Sequence, residues 1–144
     1  MMIEPMDADH LETVVAIETT DGDSHWSREQ FVKELGGEFK RFFVVIESPD
    51  IVGYGGYWKA DVEAQITNLV VRKESRCRGV GRRLLEFIFD CARAEMCTVC
   101  TLEVRKSNAH AQSLYQALGF EVKGTRKKIY QNPEDDAVLM EKRL

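Results

Sequence analysis

Two glycines lie among four arginines in residues 76–83, which read Arg-Cys-Arg-Gly-Val-Gly-Arg-Arg. The run before them, residues 66–71, is apolar and β-branched, as expected of a buried strand. The run after them repeats apolar residues at helical spacing, so we expect a helix to begin close to Gly79. The first N–H groups of a helix have no partner within it and carry positive partial charge, and glycines let a ligand approach them closely. This junction is therefore predicted to bind phosphate.

Charge supports a phosphate site in this segment. Residues 72–83 contain six arginines or lysines and one glutamate, a net charge of +5, whereas the whole chain carries −4 and the remainder therefore −9. The plain alternative is a solvated surface, which is what most charge runs are. The coincidence with two glycines and a helix start favours the phosphate interpretation.

Two familiar phosphate-binding motifs do not fit the spacing. A P-loop ends in Gly-Lys-Ser/Thr, but Gly81 is followed by Arg82 and Arg83. A Rossmann fingerprint requires glycine or alanine at position 84, where the chain has Leu84. Nucleoside triphosphates and dinucleotides are therefore disfavoured as ligands.

The pattern that does fit, Arg-x-x-Gly-x-Gly, resembles the acetyl-coenzyme A signature of the GNAT family of N-acetyltransferases. A second block extends the resemblance, since residues 102–120 read Leu-Glu-Val-Arg-x-Ser-Asn-x-x-Ala-x-x-Leu-Tyr-x-x-x-Gly-Phe. This block is similar to the bacterial branch that acetylates the N-terminal alanine of a small-subunit ribosomal protein. The resemblance spans nearly the whole chain, from residues 16–18 and 26–27 to residues 134–140.

The resemblance implies where acetyl-coenzyme A binds. The strand ending at Val71 and the strand holding Glu103 would splay apart, with the pantetheine arm between them. The pyrophosphate would lie on the N–H groups from Arg78 to Arg82. Asn108, at the start of the next helix, would contact the coenzyme or only cap that helix. The implied coenzyme-binding residues are Leu69, Val70, Val71, Arg76, Cys77, Arg78, Gly79, Val80, Gly81, Arg82 and Asn108.

Acetyl transfer from a thioester to an amine needs a neutral amine, a stabilised oxyanion and a protonated leaving thiolate. An α-amine has a pKa near 8 and is roughly 10–20% neutral at cytosolic pH. A lysine amine, with a pKa of about 10.4, is neutral less than about 0.1% of the time. Deprotonation of a protein N-terminus is therefore the easier task.

Two side chains in the second block are candidates for the proton transfers. Glu103 is the predicted general base, acting directly or through water, because it lies within the motif on a central strand. Tyr115 is predicted to protonate the leaving thiolate or to hydrogen-bond its sulfur. The alternatives are an exposed or ion-paired carboxylate for Glu103 and a packing tyrosine for Tyr115. A backbone N–H near Val70 or Val71 is the expected oxyanion donor.

The acceptor is expected at the other end of the cleft. By resemblance, the loop from Glu18 to Trp26 and the hairpin around Tyr130 form the peptide-binding walls, so these three residues are the implied substrate-binding residues. Asp21 and Asp23, with the acidic remainder of the chain, should attract a cationic peptide such as the tail of a basic ribosomal protein.

The acceptor region also departs from the family pattern at two positions. Ile129 precedes Tyr130 where relatives often have paired tyrosines, so one substrate hydroxyl is absent. His25 precedes Trp26 where a proline is common. Substrate choice is therefore less firmly predicted than acetyl transfer.

Strands and helices that would position these residues follow from hydrophobic periodicity and turn residues. The chain is predicted to form an α/β fold, the GNAT fold, with a mixed sheet of about seven strands flanked by about four helices in a single domain, 1–144. The predicted strands are 2–6, 41–47, 51–59, 63–71, 98–105, 120–129 and 136–143, and the predicted helices are 8–19, 27–35, 79–95 and 109–118.

Composition sets further expectations. The chain of 144 residues is 44% hydrophobic, enough for one core, and no apolar stretch suggests a signal peptide or membrane span, so we expect a cytoplasmic protein without membrane association. The acidic balance disfavours a nucleic-acid partner. Cys97-x-x-Cys100 is a weak metal motif because no second pair accompanies it, so buried free thiols and no metal are expected.

Three functions compete on this sequence. The first is acetylation of a protein N-terminus, and the second is acetylation of a lysine side chain or a small-molecule amine on the same fold. The third belongs to another class, a catalytically silent coenzyme A-binding module. The presence of both Glu103 and Tyr115 argues against the silent module.

Overall fold

A mixed β-sheet forms the centre of the protein. Within residues 1–23 and 26–144, which the computed structural model describes, the chain forms seven strands and four α-helices. The strands are β1 (Met2–Pro5), β2 (Lys40–Glu47), β3 (Asp50–Ala60), β4 (Glu63–Val71), β5 (Val99–Arg105), β6 (Glu121–Tyr130) and β7 (Asp135–Arg143). The helices are α1 (Leu11–Asp21), α2 (Arg28–Leu35), α3 (Val80–Ala94) and α4 (Ala109–Ala117).

The strands lie in the order β1-β2-β3-β4-β5-β7-β6. β4 and β5 are parallel, and the other neighbouring strands are antiparallel. The crossover between the parallel strands contains α3, so the start of α3 follows directly on the end of β4. The predicted α/β fold with a mixed sheet is confirmed.

Apolar side chains cover both faces of the sheet. β2 shows this most clearly, because four consecutive residues are buried on alternating faces. Phe43 and Val45 pack in the core under α3 and α4, whereas Phe42 and Val44 pack in the core under α1 and α2. A strand covered on both sides needs a continuous apolar run, and residues 42–46 supply one.

Helix α3 presents one apolar face to the sheet, as its spacing predicts. The buried residues of this face are Val80, Leu84, Leu85, Ile88, Phe89 and Ala92. The polar residues between them face solvent, so the helix is fixed with its first turn at the end of β4. The predicted helix 79–95 is confirmed to within one residue at each end.

Helix α1 differs from its predicted bounds. A short 3₁₀ helix occupies Ala8–His10, and the α-helix then continues to Asp21, which was expected in a loop. The extension ends at Gly22, whose N–H donates to the Glu18 carbonyl at 3.0 Å. Residues 24 and 25 of the predicted acceptor loop, Ser24 and His25, lie outside the described residues.

Candidate active site

β4 and β5 separate along their length and leave a cleft between them. They pair only where Glu63–Gln65 face Val99–Thr101. Further along, β4 has a bulge in which Thr67 is the extra residue opposite β3. Beyond this bulge the edge of β4 that faces β5 borders a cleft of about 930 Å³. The predicted splay of these two strands is confirmed.

Most of the predicted site residues line this cleft together. They are Glu18, Leu69, Val70, Val71, Arg76, Cys77, Gly79, Val80, Gly81, Arg82, Glu103, Asn108, Tyr115 and Tyr130. The cleft therefore joins the predicted phosphate-binding segment to the predicted proton-transfer residues and to part of the predicted acceptor end.

The side chains of Arg78 and Trp26 do not line the cleft. The Arg78 guanidinium is paired with the carboxylate of Glu47 on β2. The Trp26 ring packs against Phe31 and Phe42, with ring centroids 5.2 and 5.9 Å away. The Trp26 ring thus belongs to the core under α1 and α2. Because the Arg78 side chain points to Glu47, a contact of Arg78 with the coenzyme would come from its backbone.

The glycine loop opens the start of α3 toward the cleft. Gly79 adopts φ +82°, a left-handed conformation that favours glycine, and a Cβ at this position would have no neighbour within 4 Å. α3 begins at the next residue, and none of the described side chains caps its first N–H groups. These N–H groups are therefore free to bind an anion at the end of the cleft.

The cations of this segment are partly compensated by nearby acids. Arg82 Nε lies 2.9 Å from the Glu86 carboxylate on the next turn. Arg76 Nε instead donates to the Val71 carbonyl at 3.0 Å, which ties the loop to the end of β4. The net charge of +5 on residues 72–83 thus overstates the positive potential at the cleft. The N–H groups at the start of α3 are the better candidate for binding an anion.

Glu103 lies in the middle of β5, opposite Leu139 of β7. Its side chain is 26% exposed, and Oε1 accepts a hydrogen bond from Arg126 Nη1 at 2.7 Å. Arg126 belongs to β6, so it reaches across β7 to make this ion pair. The predicted carboxylate thus faces the cleft, and it is also the ion-pair partner that the alternative interpretation expected.

Tyr115 and Asn108 reach the cleft from α4. Tyr115 is buried, and its ring packs edge-on against Phe120 at a centroid distance of 5.8 Å. Among the residues that the structure describes, none is hydrogen-bonded to the Tyr115 hydroxyl. Asn108 Oδ1 accepts from the Ala111 N–H at 3.0 Å, so Asn108 is the N-cap of α4. Contact of Asn108 with the coenzyme stays a prediction.

The N-cap residue of α4 is expected to contribute to the stability of the protein. Replacing Asn108 by alanine should lower the free energy of unfolding by about 1 kcal/mol, because the first turn of α4 loses its side-chain acceptor. Replacing it by aspartate should restore most of the loss, since aspartate also caps well. Urea unfolding monitored by circular dichroism measures both variants, and equal stability of wild type and alanine variant would show that the cap contributes nothing.

Glu18 is the most buried acidic residue at the acceptor end, with 1% of its surface exposed. The Tyr54 hydroxyl donates to Glu18 Oε1 at 3.0 Å, whereas Oε2 has no hydrogen-bond partner among the described residues. A Cβ on Gly22 would lie 1.7 Å from Oε2, so a side chain at position 22 would displace the carboxylate from its present place. The hydrogen bond from Tyr54 holds this carboxylate beside the cleft.

Arg105 is a functional candidate that the sequence did not identify. It follows Val104 at the end of β5 and lines the cleft beside Tyr130, with its guanidinium carbon 4.5 Å from the Tyr130 ring centroid. Its position in the Leu-Glu-Val-Arg motif was visible, but no spacing or charge pattern indicated what its side chain contacts.

The four buried or half-buried tyrosines are expected to make the stability of the protein depend on pH. Burial raises the pKa of Tyr54, Tyr57, Tyr115 and Tyr130, the last to about 12, and nearby carboxylates add to the shift in each case. An unfolded tyrosine has a pKa of about 10, so these groups favour the folded state below pH 10. Stability should then fall as the pH rises above 10, because only the unfolded chain ionises readily.

Ultraviolet absorbance of tyrosinate checks this prediction. The folded protein should show almost no tyrosinate at pH 10, and ionisation should accompany unfolding at higher pH. A titration of native protein with its midpoint near pH 10 would contradict the burial of these hydroxyls.

The two cysteines of the Cys97-x-x-Cys100 motif lie in the protein core. Cys97 and Cys100 are buried free thiols, as predicted, and burial raises the pKa of Cys100 to about 12. Within the part of the chain that the structure describes, no group of three or more His, Cys, Asp or Glu residues is arranged to hold a metal ion. None of the described helices is long and apolar enough to span a bilayer.

Comparison with known proteins decides the family. The sequence profile of the acetyltransferase (GNAT) family matches residues 11–120, which include the glycine loop, Glu103 and Tyr115. The chain belongs to the GNAT family. It is an N-acetyltransferase with the GNAT fold, and the resemblance seen in the sequence is confirmed.

Individual GNAT relatives cover nearly the whole chain. A Bacillus subtilis (strain 168) protein with a provisional name as a ribosomal protein bS18-alanine N-acetyltransferase is 30% identical over 139 residues, 96% of this chain and 92% of its own length. The crystal structure of the ribosomal-protein-S18-alanine N-acetyltransferase from Escherichia coli superimposes with a TM-score of 0.90 at 27% identity, covering 99% of this chain and 92% of that one.

A third GNAT structure bears on the coenzyme. The crystal structure of a GNAT family acetyltransferase from Elizabethkingia anophelis, with acetyl-CoA bound, has a TM-score of 0.82 at 19% identity and covers 99% of this chain and 97% of that one. At this identity the likeness is one of fold. The same fold therefore accommodates acetyl-CoA in a related enzyme.

Proposed function

We propose that this GNAT enzyme transfers an acetyl group from acetyl-coenzyme A to the N-terminal α-amine of a protein. The proposed acceptor is the N-terminal alanine of a small-subunit ribosomal protein. The proposal rests on the residues that line one cleft. This cleft contains the uncapped start of α3, the side chains of Glu103 and Tyr115, and the acidic residues of the acceptor end. The names of the relatives from Bacillus subtilis and Escherichia coli supply the ribosomal substrate. Such a substrate would place the enzyme in the cytoplasm.

The residues at one end of the cleft fit the coenzyme. The uncapped N–H groups at the start of α3 would hold the pyrophosphate, and the open space beside Gly79 would admit it. Leu69, Val70 and Val71 lie on the edge of β4 that has separated from β5, so their backbone groups would bond the amides of the pantetheine arm. When bound, acetyl-coenzyme A supplies the activated acetyl thioester.

Glu103 and Tyr115 are assigned the two proton transfers. Glu103 would accept a proton from the α-ammonium, directly or through a water molecule, because its carboxylate faces the cleft from β5. The Tyr115 hydroxyl would donate a proton to the departing sulfur. Burial raises the pKa of Tyr115, which favours the protonated hydroxyl that this role requires.

Acidic residues at the other end of the cleft suit a cationic acceptor. Glu18, Asp21 and Asp23 line this end together with Tyr130. A buried carboxylate oxygen is costly unless it is paired, and the ammonium of an incoming peptide is a group that would pair the Oε2 atom of Glu18. The charge of this end would also attract a basic peptide at long range.

A panel of acceptors tests the function. Purified protein is incubated with acetyl-coenzyme A and with peptides that begin with alanine, serine or methionine, and with a lysine peptide whose N-terminus is blocked. We expect a mass increase of one acetyl group on the alanine peptide and slower or no reaction of the blocked peptide. Reaction of the blocked peptide alone would replace the proposed acceptor by lysine, and the absence of an acetylated product from every peptide would rule out the proposed function.

A further inference from the structure

The side chain of Arg105 bonds to both walls of the acceptor end. It is 8% exposed, and its Nε donates to Asp23 Oδ1 at 3.1 Å in the segment after α1. Its Nη1 donates to the Pro133 carbonyl at 2.8 Å and its Nη2 to the Gln131 carbonyl at 3.2 Å, both in the turn between β6 and β7. The guanidinium also stacks over the Tyr130 ring.

These partners are distant in sequence and meet at Arg105. Asp23 lies 82 positions from Arg105, and the turn carbonyls lie 26 and 28 positions from it. A buried guanidinium must bond its N–H groups, and its planar fork can serve several acceptors at fixed angles. Arg105 therefore sets the separation between the two walls.

The backbone of Arg105 adds a link to the helix that holds Tyr115. The carbonyl of Arg105 accepts from the Asn108 N–H at 3.0 Å and from Gln112 Nε2 at 3.1 Å at the start of α4. One residue thus joins the acceptor walls to the helix that places the predicted proton donor.

We propose that Arg105 is a positioning residue for the acceptor and determines how well the peptide binds. The inference rests on the proposed function in that the acceptor enters between these two walls. Arg105 holds the carboxylate of Asp23, which remains 56% exposed, at the mouth of the cleft, where it meets a cationic acceptor. The side-chain partners of Arg105 do not include residues 69–82, so coenzyme binding does not depend on this contact.

Two substitutions and one control test the proposal. Arg105→Met should raise the KM for the acceptor about ten-fold or more while kcat and the KM for acetyl-coenzyme A change less than about three-fold. Arg105→Lys should recover part of the loss, because lysine can pair with Asp23 but cannot also bond both turn carbonyls. Arg41→Met is the matched control, since Arg41 bonds Glu95 and two backbone carbonyls away from the cleft.

The kinetics are measured on whichever amine the wild-type enzyme acetylates, so the test stands even if that amine proves to be lysine and the proposed N-terminal function fails. Equal increases in both KM values, or a lowered Tm with an unchanged acceptor KM, would overturn the positioning role. If Arg105→Met does not fold, Asp23→Asn and Arg105→Lys carry the same test. Each should raise the acceptor KM, because Asp23→Asn weakens the bond to the segment after α1 and Arg105→Lys loses bonds to the turn between β6 and β7. An unchanged acceptor KM in both variants would overturn the positioning role.

Discussion

Replacing Glu103 by glutamine should lower kcat/KM for an N-terminal peptide by about 10²–10⁴-fold, the range that a lost general base costs. Glutamine keeps the shape and can still accept the hydrogen bond from Arg126, so the fold should be unaffected. The remaining activity should increase with pH until the α-amine, with a pKa near 8, is neutral without help from the enzyme. Steady-state rates of coenzyme A release across pH measure both effects.

The ion pair of Glu103 with Arg126 supplies the control. Arg126→Met removes the cation but leaves the carboxylate in the cleft, so its rate should remain within a few-fold of wild type. If Glu103 acts only as an ion-pair partner, the two variants should lose the same amount of activity. Equal losses, or a Glu103→Gln variant with an unchanged rate and pH profile, would remove Glu103 as the base.

Replacing Tyr115 by phenylalanine should lower kcat by about 10²-fold or more, because the leaving sulfur loses its proton donor. The same change should hardly alter stability, since no described residue is hydrogen-bonded to the Tyr115 hydroxyl and the ring contact with Phe120 remains. Acetyl-coenzyme A binding, measured by calorimetry, should also change little. Tyr115→Phe is therefore expected to lower kcat without lowering the free energy of unfolding.

Tyr57→Phe is the opposite case and serves as the control. The Tyr57 hydroxyl is hydrogen-bonded to the Glu95 carboxylate, outside the cleft. Its removal leaves a partly buried acceptor without that donor, so the free energy of unfolding should fall by about 1–3 kcal/mol with kcat unchanged. A Tyr115→Phe enzyme that loses stability but keeps its kcat would mean that Tyr115 only packs.

The sequence predicted the scaffold of the site because local patterns encode it. The apolar stripe of α3, the β-branched run of β4 and the glycines between them are properties of neighbouring residues, and the structure places these elements as expected. The separation of β4 from β5 came from the family resemblance and is confirmed by their short pairing.

Contacts that depend on register and packing could not be predicted in this way. Arg126 reaches Glu103 because β6 pairs with β7 and β7 pairs with β5, an order that no local pattern contains. Arg105 meets Asp23 and the β6–β7 turn only after three distant segments have folded together. The family resemblance implies that Trp26 lies in the acceptor wall, but its large apolar ring packs against Phe31 and Phe42.

One measurement tests the central claim most directly. A basic peptide that begins with a free alanine and also contains an internal lysine is incubated with the enzyme and acetyl-coenzyme A, and fragmentation mass spectrometry locates the acetyl group. Because both amines are present at the same concentration in one molecule, the product ratio reports the preference of the enzyme between them, to which the larger neutral fraction of the α-amine contributes. We predict acetylation of the alanine α-amine, and acetylation of the lysine with the alanine left free would contradict the account.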